Sequence, residues 1–128
     1  MKSRSNRIVA GIIVLALAGV IYMVATKERA PSKLDGFAAC IQESGATFYG
    51  AFWCPHCQNQ KAMFGRSAKL LPYAECSTPD GRGQLTGCKD LAITTYPTWV
   101  FGDGSTTTGE IPLKILAEKT SCALPLEE

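Results

Sequence analysis

Ala46-Thr47-Phe48-Tyr49-Gly50-Ala51-Phe52-Trp53-Cys54-Pro55-His56-Cys57 sets two thiols two residues apart, directly behind a β-branched and aromatic run. Ala46 to Phe52 reads as a buried strand. Gln58 to Leu71, with apolar residues at Ala62, Phe64, Ala68, Leu70 and Leu71, reads as a helix, so the motif lies at a strand-to-helix junction. Cys54 falls at the N-cap or first position of that helix, where unpaired backbone N–H groups and the positive end of the helix dipole stabilise a thiolate. Pro55 suits the first turn, because its missing N–H costs little there and its fixed φ starts the helix. Cys57, one turn further in, is expected to be more buried and to attack second, resolving a mixed disulfide formed at Cys54. His56 lies between the two thiols. As a cation or hydrogen-bond donor it would stabilise the Cys54 thiolate further, and a pair stabilised when reduced is an oxidant.

Other chemistries are compatible with two cysteines alone. A zinc half-site needs a second close pair, but Cys76 and Cys88 have eleven residues between them, which matches no common zinc spacing. A purely structural Cys54–Cys57 bridge would be a tight, strained ring of a kind that seldom serves as a staple. Copper binding through the same two soft ligands ordinarily calls for a further His or Met, and the candidates are confined to His56 and, beyond the N-terminal segment, Met63. A lone His is more often an exposed helix residue than a catalytic one; its place inside the motif singles out His56.

The chain has 128 residues, room for one domain once its N-terminus is set aside. Residues 1–7 form a basic segment with Lys2, Arg4 and Arg7, and residues 8–25 are eighteen uncharged positions rich in Ile, Val, Leu and Ala. At about 1.5 Å per residue such a helix is roughly 27 Å long, close to a hydrocarbon core of about 30 Å, so a single transmembrane anchor is expected. A cleaved signal peptide is the rival, against which stand the length of the apolar run and the lack of an A-x-A site near its end. Residues 26–33 read as a short polar tether. Three basic residues precede the span and Lys27, Arg29 and Lys33 follow it, so charge bias says little about orientation. Six cysteines, all beyond residue 39, place the domain in an oxidising space such as the periplasm. From Lys27 onward ten Lys and Arg face eleven Asp and Glu, a formal charge of −1, which gives no reason to expect nucleic acid.

Leu34 to Ser44 reads as a helix ended by Gly45, with Phe37, Ala38 and Ile41 on its apolar face. After the motif helix come a short strand at Tyr73–Cys76, a turn-rich loop at 77–83 and a two-turn helix at 84–91. Tyr96-Pro97-Thr98-Trp99-Val100-Phe101 is extended, Gly102-Asp103-Gly104 signals a hairpin, and residues 105–109 return as an edge strand. Residues 112–121 close the chain as a helix with Leu113, Ile115, Leu116 and Ala117 as its apolar positions.

This order, with a C-x-x-C at the first strand-to-helix junction, is the cue for a thioredoxin-like redox motif. Over residues 34–122 the chain resembles the thioredoxin family, on Trp53-Cys54-Pro55-His56-Cys57, Tyr96-Pro97-Thr98 and the Phe101–Gly104 hairpin. The resemblance implies an α/β thioredoxin fold over residues 34–128, a central mixed sheet of about four strands flanked by helices, behind the N-terminal transmembrane helix. It implies Cys54 as nucleophile, Cys57 as resolving thiol, and Pro97 as a cis proline facing them. A cis bond there would free the Tyr96 backbone for an extended substrate segment, with Trp53 either beside it on the substrate surface or simply a core aromatic. Reducing thioredoxins carry a buried Asp six residues before the nucleophile, whereas Phe48 stands there in this chain. The Cys-Pro-His-Cys motif, with Cys76, Cys88 and Tyr96-Pro97-Thr98-Trp99, is similar to thioredoxin-like domains associated with vitamin K epoxide reductase homologues and to Dsb-type envelope oxidoreductases. That likeness implies reoxidation by a separate quinone-linked membrane oxidoreductase of vitamin K epoxide reductase or DsbB type.

Four further cysteines allow three pairings. Cys76 and Cys88 flank one loop and could clamp it, while Cys40 and Cys122 would join the first and last helices of the domain; a second redox pair at Cys76 and Cys88 is the functional alternative. The expectation is a membrane-anchored, extracytoplasmic thiol-disulfide oxidoreductase that oxidises exported protein thiols, with no cofactor and no metal. A reductase or isomerase, including one acting on apocytochrome thiols, or a copper- or partner-binding module are the alternatives.

Overall fold

The computed structural model describes residues 2–26 and 30–125, with side chains for 7–24 and 30–125. Lys27, Glu28 and Arg29 of the expected tether, the side chains of Lys2 and Arg4 in the basic segment, and residues 126–128 lie outside the described residues. The chain divides into two compact units, Met1–Pro31 and Ser32–Glu128.

The first unit is built on helix α1, Lys2–Thr26. Its stretch Arg7–Val24 has a mean hydropathy of 2.4 and is long and apolar enough to cross a membrane. Ile, Val, Leu and Ala surround it on every side, so it has no polar face of the kind a surface helix of a soluble protein presents.

The second unit has a thioredoxin-like fold. Its strands are β1 (Thr47–Gly50), β2 (Tyr73–Glu75), β3 (Thr98–Val100) and β4 (Thr106–Thr108), arranged in one mixed sheet in the order β2-β1-β3-β4. β1 runs parallel to β2 and antiparallel to β3, and β3 pairs antiparallel with β4. The parallel pair requires a crossover, which is supplied by α3 (Pro55–Phe64) and a 3-10 helix (Gly65–Leu70). Helices α2 (Asp35–Glu43), α4 (Thr86–Asp90) and α5 (Leu113–Thr120) complete the domain.

Phe48 in β1 sits at the centre of the core. It is fully buried, stacks on Trp99 of β3 at 4.8 Å between centroids, and meets Tyr73 of β2 edge-on at 5.1 Å. Phe37 of α2 stacks on Phe64 of α3 at 5.8 Å, with Ile41 and Leu116 buried in the same cluster. Cys76, Cys88 and Ile93 make a separate small cluster under the loop after β2. The turn after α2 is built for close approach: Gly45 has φ +78, and a Cβ on Gly102 would strike the Ser44 carbonyl oxygen.

Two helices differ from expectation. The motif helix does not run to Leu71; it ends at Phe64, because Gly65 takes φ +53 and the next turn tightens to 3-10 geometry. Its buried face is Cys57, Gln60 and Phe64, and Ala62 is exposed. In α5, Leu116 is buried but Ile115 is 38% exposed, since adjacent helical positions are about 100° apart and only one of the two faces the core.

Candidate active site

Cys54 is the N-cap of α3, with extended backbone at φ −77 and ψ 118, and Pro55 takes the first helical position. The Cys54 carbonyl already accepts the Gln58 N–H at 3.1 Å, and the Cys54 N–H donates to the Ala51 carbonyl at 3.0 Å, so the main chain of Cys54 is held on both sides. Its Sγ is 3.6 Å from the carbonyl oxygen of Tyr96, and the Tyr96–Pro97 peptide is cis. Helix start and proline loop therefore face each other across the first thiol. Both motif cysteines carry free thiols and both are buried, Cys54 at 5% exposure and Cys57 at 1%.

Cys57 is enclosed by main chain. A Cβ on Gly50 would lie 2.8 Å from Cys57 Sγ and 2.9 Å from Tyr73 Cε2, so only a glycine in β1 lets the thiol and the tyrosine ring share that space. Burial pushes the Cys57 thiol up to about 12; the Ala51 main chain works in the opposite direction, the neighbouring Cys54 raises it, and the Lys61 charge lowers it. Lys61 Nζ sits 3.2 Å above the centre of the Tyr73 ring. Tyr73 donates to Glu75 Oε2 at 2.8 Å, and its hydroxyl is held above its ordinary range by burial first and then by that carboxylate. Glu75 Oε1 in turn accepts the N–H groups of Phe52 at 3.2 Å and Ser77 at 2.9 Å, tying the motif's leading turn to β2.

The rim is aromatic. Phe52 and Trp53 are each half exposed. Trp53 donates from Nε1 to Ser77 Oγ at 2.8 Å and packs edge-on to Tyr96 at 6.1 Å. The Tyr96 hydroxyl accepts from Gln84 Nε2 at 2.8 Å. Ser77 and Gln84 belong to the loop bounded by the Cys76–Cys88 disulfide, so that bridge supports the Trp53–Tyr96 surface. The other bridge joins Cys40 of α2 to Cys122 after α5. With sequence separations of 12 for Cys76–Cys88 and 82 for Cys40–Cys122, the two bridges stabilise by about 3 and about 4.5 kcal/mol on a loop-closure argument. Among the described residues no three of His, Cys, Asp and Glu gather to hold a metal ion.

His56 projects outward, and its ring is held from an unexpected quarter. Nδ1 lies 2.6 Å from Glu110 Oε1, which also accepts from Asn59 Nδ2 at 3.1 Å. The Glu110 carboxyl is held below its ordinary range by the His56 hydrogen bond first and the Asn59 bond second. Beneath it, fully buried Gln60 makes two bonds to one residue: its Oε1 accepts the Ile111 N–H at 2.7 Å and its Nε2 donates to the Ile111 carbonyl at 3.0 Å. Glu110 and Gln60 escaped the sequence reading, since each acts on a partner more than fifty positions away. Gly50 was open to it, because a glycine inside a strand marks close approach.

No family model matches the chain. Thiol-disulfide oxidoreductase LTO1 of Arabidopsis thaliana is 51% identical to it over 89 residues, covering 66% of this chain and 23% of that protein. The chain thus spans under a quarter of the length of the curated relative it matches. In sequence, this thioredoxin-like domain with its paired thiols is similar to one segment of a protein named as a thiol-disulfide oxidoreductase.

Proposed function

We propose that this protein is a thiol-disulfide oxidoreductase working through a Cys54–Cys57 redox disulfide. The observation that carries this reading is the arrangement at the start of α3: Cys54 as N-cap beside the Tyr96 carbonyl, with Cys57 buried one turn behind it. In the oxidising direction, a substrate thiolate attacks Cys54 Sγ of the disulfide, and Cys57 leaves as a thiolate that then takes up a proton. A second substrate thiolate then attacks the substrate sulfur of the mixed disulfide and releases Cys54. Two electrons and two protons pass from substrate to enzyme, one disulfide breaks and one forms. Trp53 and Tyr96 form the surface on which an extended substrate segment lies, with Pro97 shaping it.

The finer reading is of a membrane-anchored, extracytoplasmic oxidant of exported proteins. Its supports are the apolar stretch Arg7–Val24, two disulfides that need an oxidising space, and Phe48 where reducing thioredoxins carry a buried acid. Reoxidation by a quinone-linked membrane partner of vitamin K epoxide reductase or DsbB type completes the proposed cycle. The reduction potential decides direction. A value near about −120 mV, that of a strong oxidant, is expected, and one near about −270 mV, that of thioredoxin, would make the protein a reductant.

A further inference from the structure

We propose that Glu110 is a positioning residue of the thiol-disulfide exchange site: by holding His56 and placing a carboxylate at the start of α3, it restrains the oxidising strength of the Cys54–Cys57 pair. The inference rests on the oxidoreductase reading above.

Three consecutive residues are fastened at this point, each by a different device. Gly109 donates its N–H to the Pro97 carbonyl at 2.8 Å, Glu110 grips His56 and Asn59, and Ile111 is bonded twice by Gln60. His56, Asn59 and Gln60 are three and four positions apart on α3, so they share one helix face, and the segment 109–111 lies along it. The Gln60 bonds are buried and fix where the Glu110 main chain sits. The carboxylate therefore reaches His56 from a braced position, although the His56 side chain itself is 68% exposed.

The first turn of α3 contains no acidic residue of its own. Glu110 supplies one from outside the helix, at the end where dipole and free N–H groups favour an anion. That anion competes with the Cys54 thiolate for the same positive potential. It also engages His56 Nδ1, so that only Nε2 is left to act on the motif. Both effects make the reduced pair less stable than it would be beside an uncommitted His56, and a less stable reduced pair is a weaker oxidant.

The test is the equilibrium of the oxidised protein with two reduced glutathiones, which yields the dithiol protein and one glutathione disulfide; one S–S bond breaks as one forms, and two electrons and two protons move to the protein. Glu110→Gln keeps the bulk and a hydrogen-bonding oxygen but removes the charge. One charge at a helix end leads us to expect this equilibrium constant to rise about threefold in E110Q. In a His56→Gln background only the direct charge effect remains, so the same change should raise it by less, about 1.5-fold. An unmoved or lowered constant in E110Q overturns the proposal, and so does an equal threefold rise without His56, because the hold on His56 would then play no part. The 15N shifts of the His56 ring, read in a Cys54→Ser/Cys57→Ser protein, should change on E110Q substitution; unchanged shifts also overturn it. If the wild-type thiols fail to equilibrate with glutathione, the oxidoreductase reading falls and this inference with it. Normal wild-type exchange with an unmoved E110Q constant removes this inference alone.

Discussion

Replacing Gln60 with Leu should cost far more than its surface chemistry implies. The side chain is fully buried in α3 and its amide makes a closed pair of bonds with the Ile111 main chain, accepting the N–H at 2.7 Å and donating to the C=O at 3.0 Å. Leucine matches the volume and restores neither bond. The Ile111 N–H and C=O would then be buried without partners, at about 1–3 kcal/mol each, giving a total of about 2–6 kcal/mol. For a domain near a hundred residues, each kcal/mol lowers Tm by roughly 4–8 °C, so a fall of at least about 8 °C is expected. Urea unfolding of the oxidised protein should show the loss in the midpoint with an unchanged slope. Gln60→Glu should recover part of it, because one carboxylate oxygen can still accept the Ile111 N–H. A Gln60→Leu protein within about 0.5 kcal/mol of wild type would refute the argument that this residue rivets the 109–111 segment to α3.

Gly50→Ala introduces a methyl 2.8 Å from Cys57 Sγ and 2.9 Å from the Tyr73 ring. It should destabilise the domain by about 1–3 kcal/mol and slow closure of the Cys54–Cys57 disulfide, read by stopped-flow Trp fluorescence; wild-type stability and closure rate would show that the thiol has room to spare. The reduced protein should also lose stability in alkali. Cys57, ordinarily near 9, is raised to about 12 in the fold, so its contribution is complete below about pH 9 and is lost as pH rises towards 12, where unfolded chains ionise first. Tyr73 is raised too, and the difference between reduced wild type and Cys57→Ala isolates the thiol. Parallel stability curves for those two proteins over pH 8–11 would contradict a buried, neutral Cys57.

Local patterns in the chain carried most of the fold. Phe37, Ala38 and Ile41 recur at helical spacing and form the buried face of α2, and Thr47–Gly50 is a β-branched, aromatic run that became the central strand. The end of α3 is hidden in the sequence because Ala68, Leu70 and Leu71 continue an apolar pattern past Gly65, whose positive φ ends the helix. Ile115 looked like core only because its neighbour Leu116 is. At the site, the spacing of Cys54 and Cys57 is written in four residues. The Glu110–His56 contact is not, since it exists only after β4 and the following turn bring residue 110 to the start of α3. Gln60 is harder still to read: a polar residue reads as surface until the main chain it satisfies is known.

Mass analysis after limited treatment with glutathione disulfide tests most directly whether Cys54 is the nucleophile and Cys57 the resolving thiol. Reduced wild type should end as the internal Cys54–Cys57 disulfide, two hydrogens lighter and carrying no glutathione. Cys57→Ala should retain one glutathione on Cys54, and folded Cys54→Ala should stay unmodified, because its remaining motif thiol is 1% exposed in the wild-type fold and its ionisation is suppressed by burial. A stable adduct on Cys57 in Cys54→Ala, with none on Cys54 in Cys57→Ala, would reverse the roles and contradict the account.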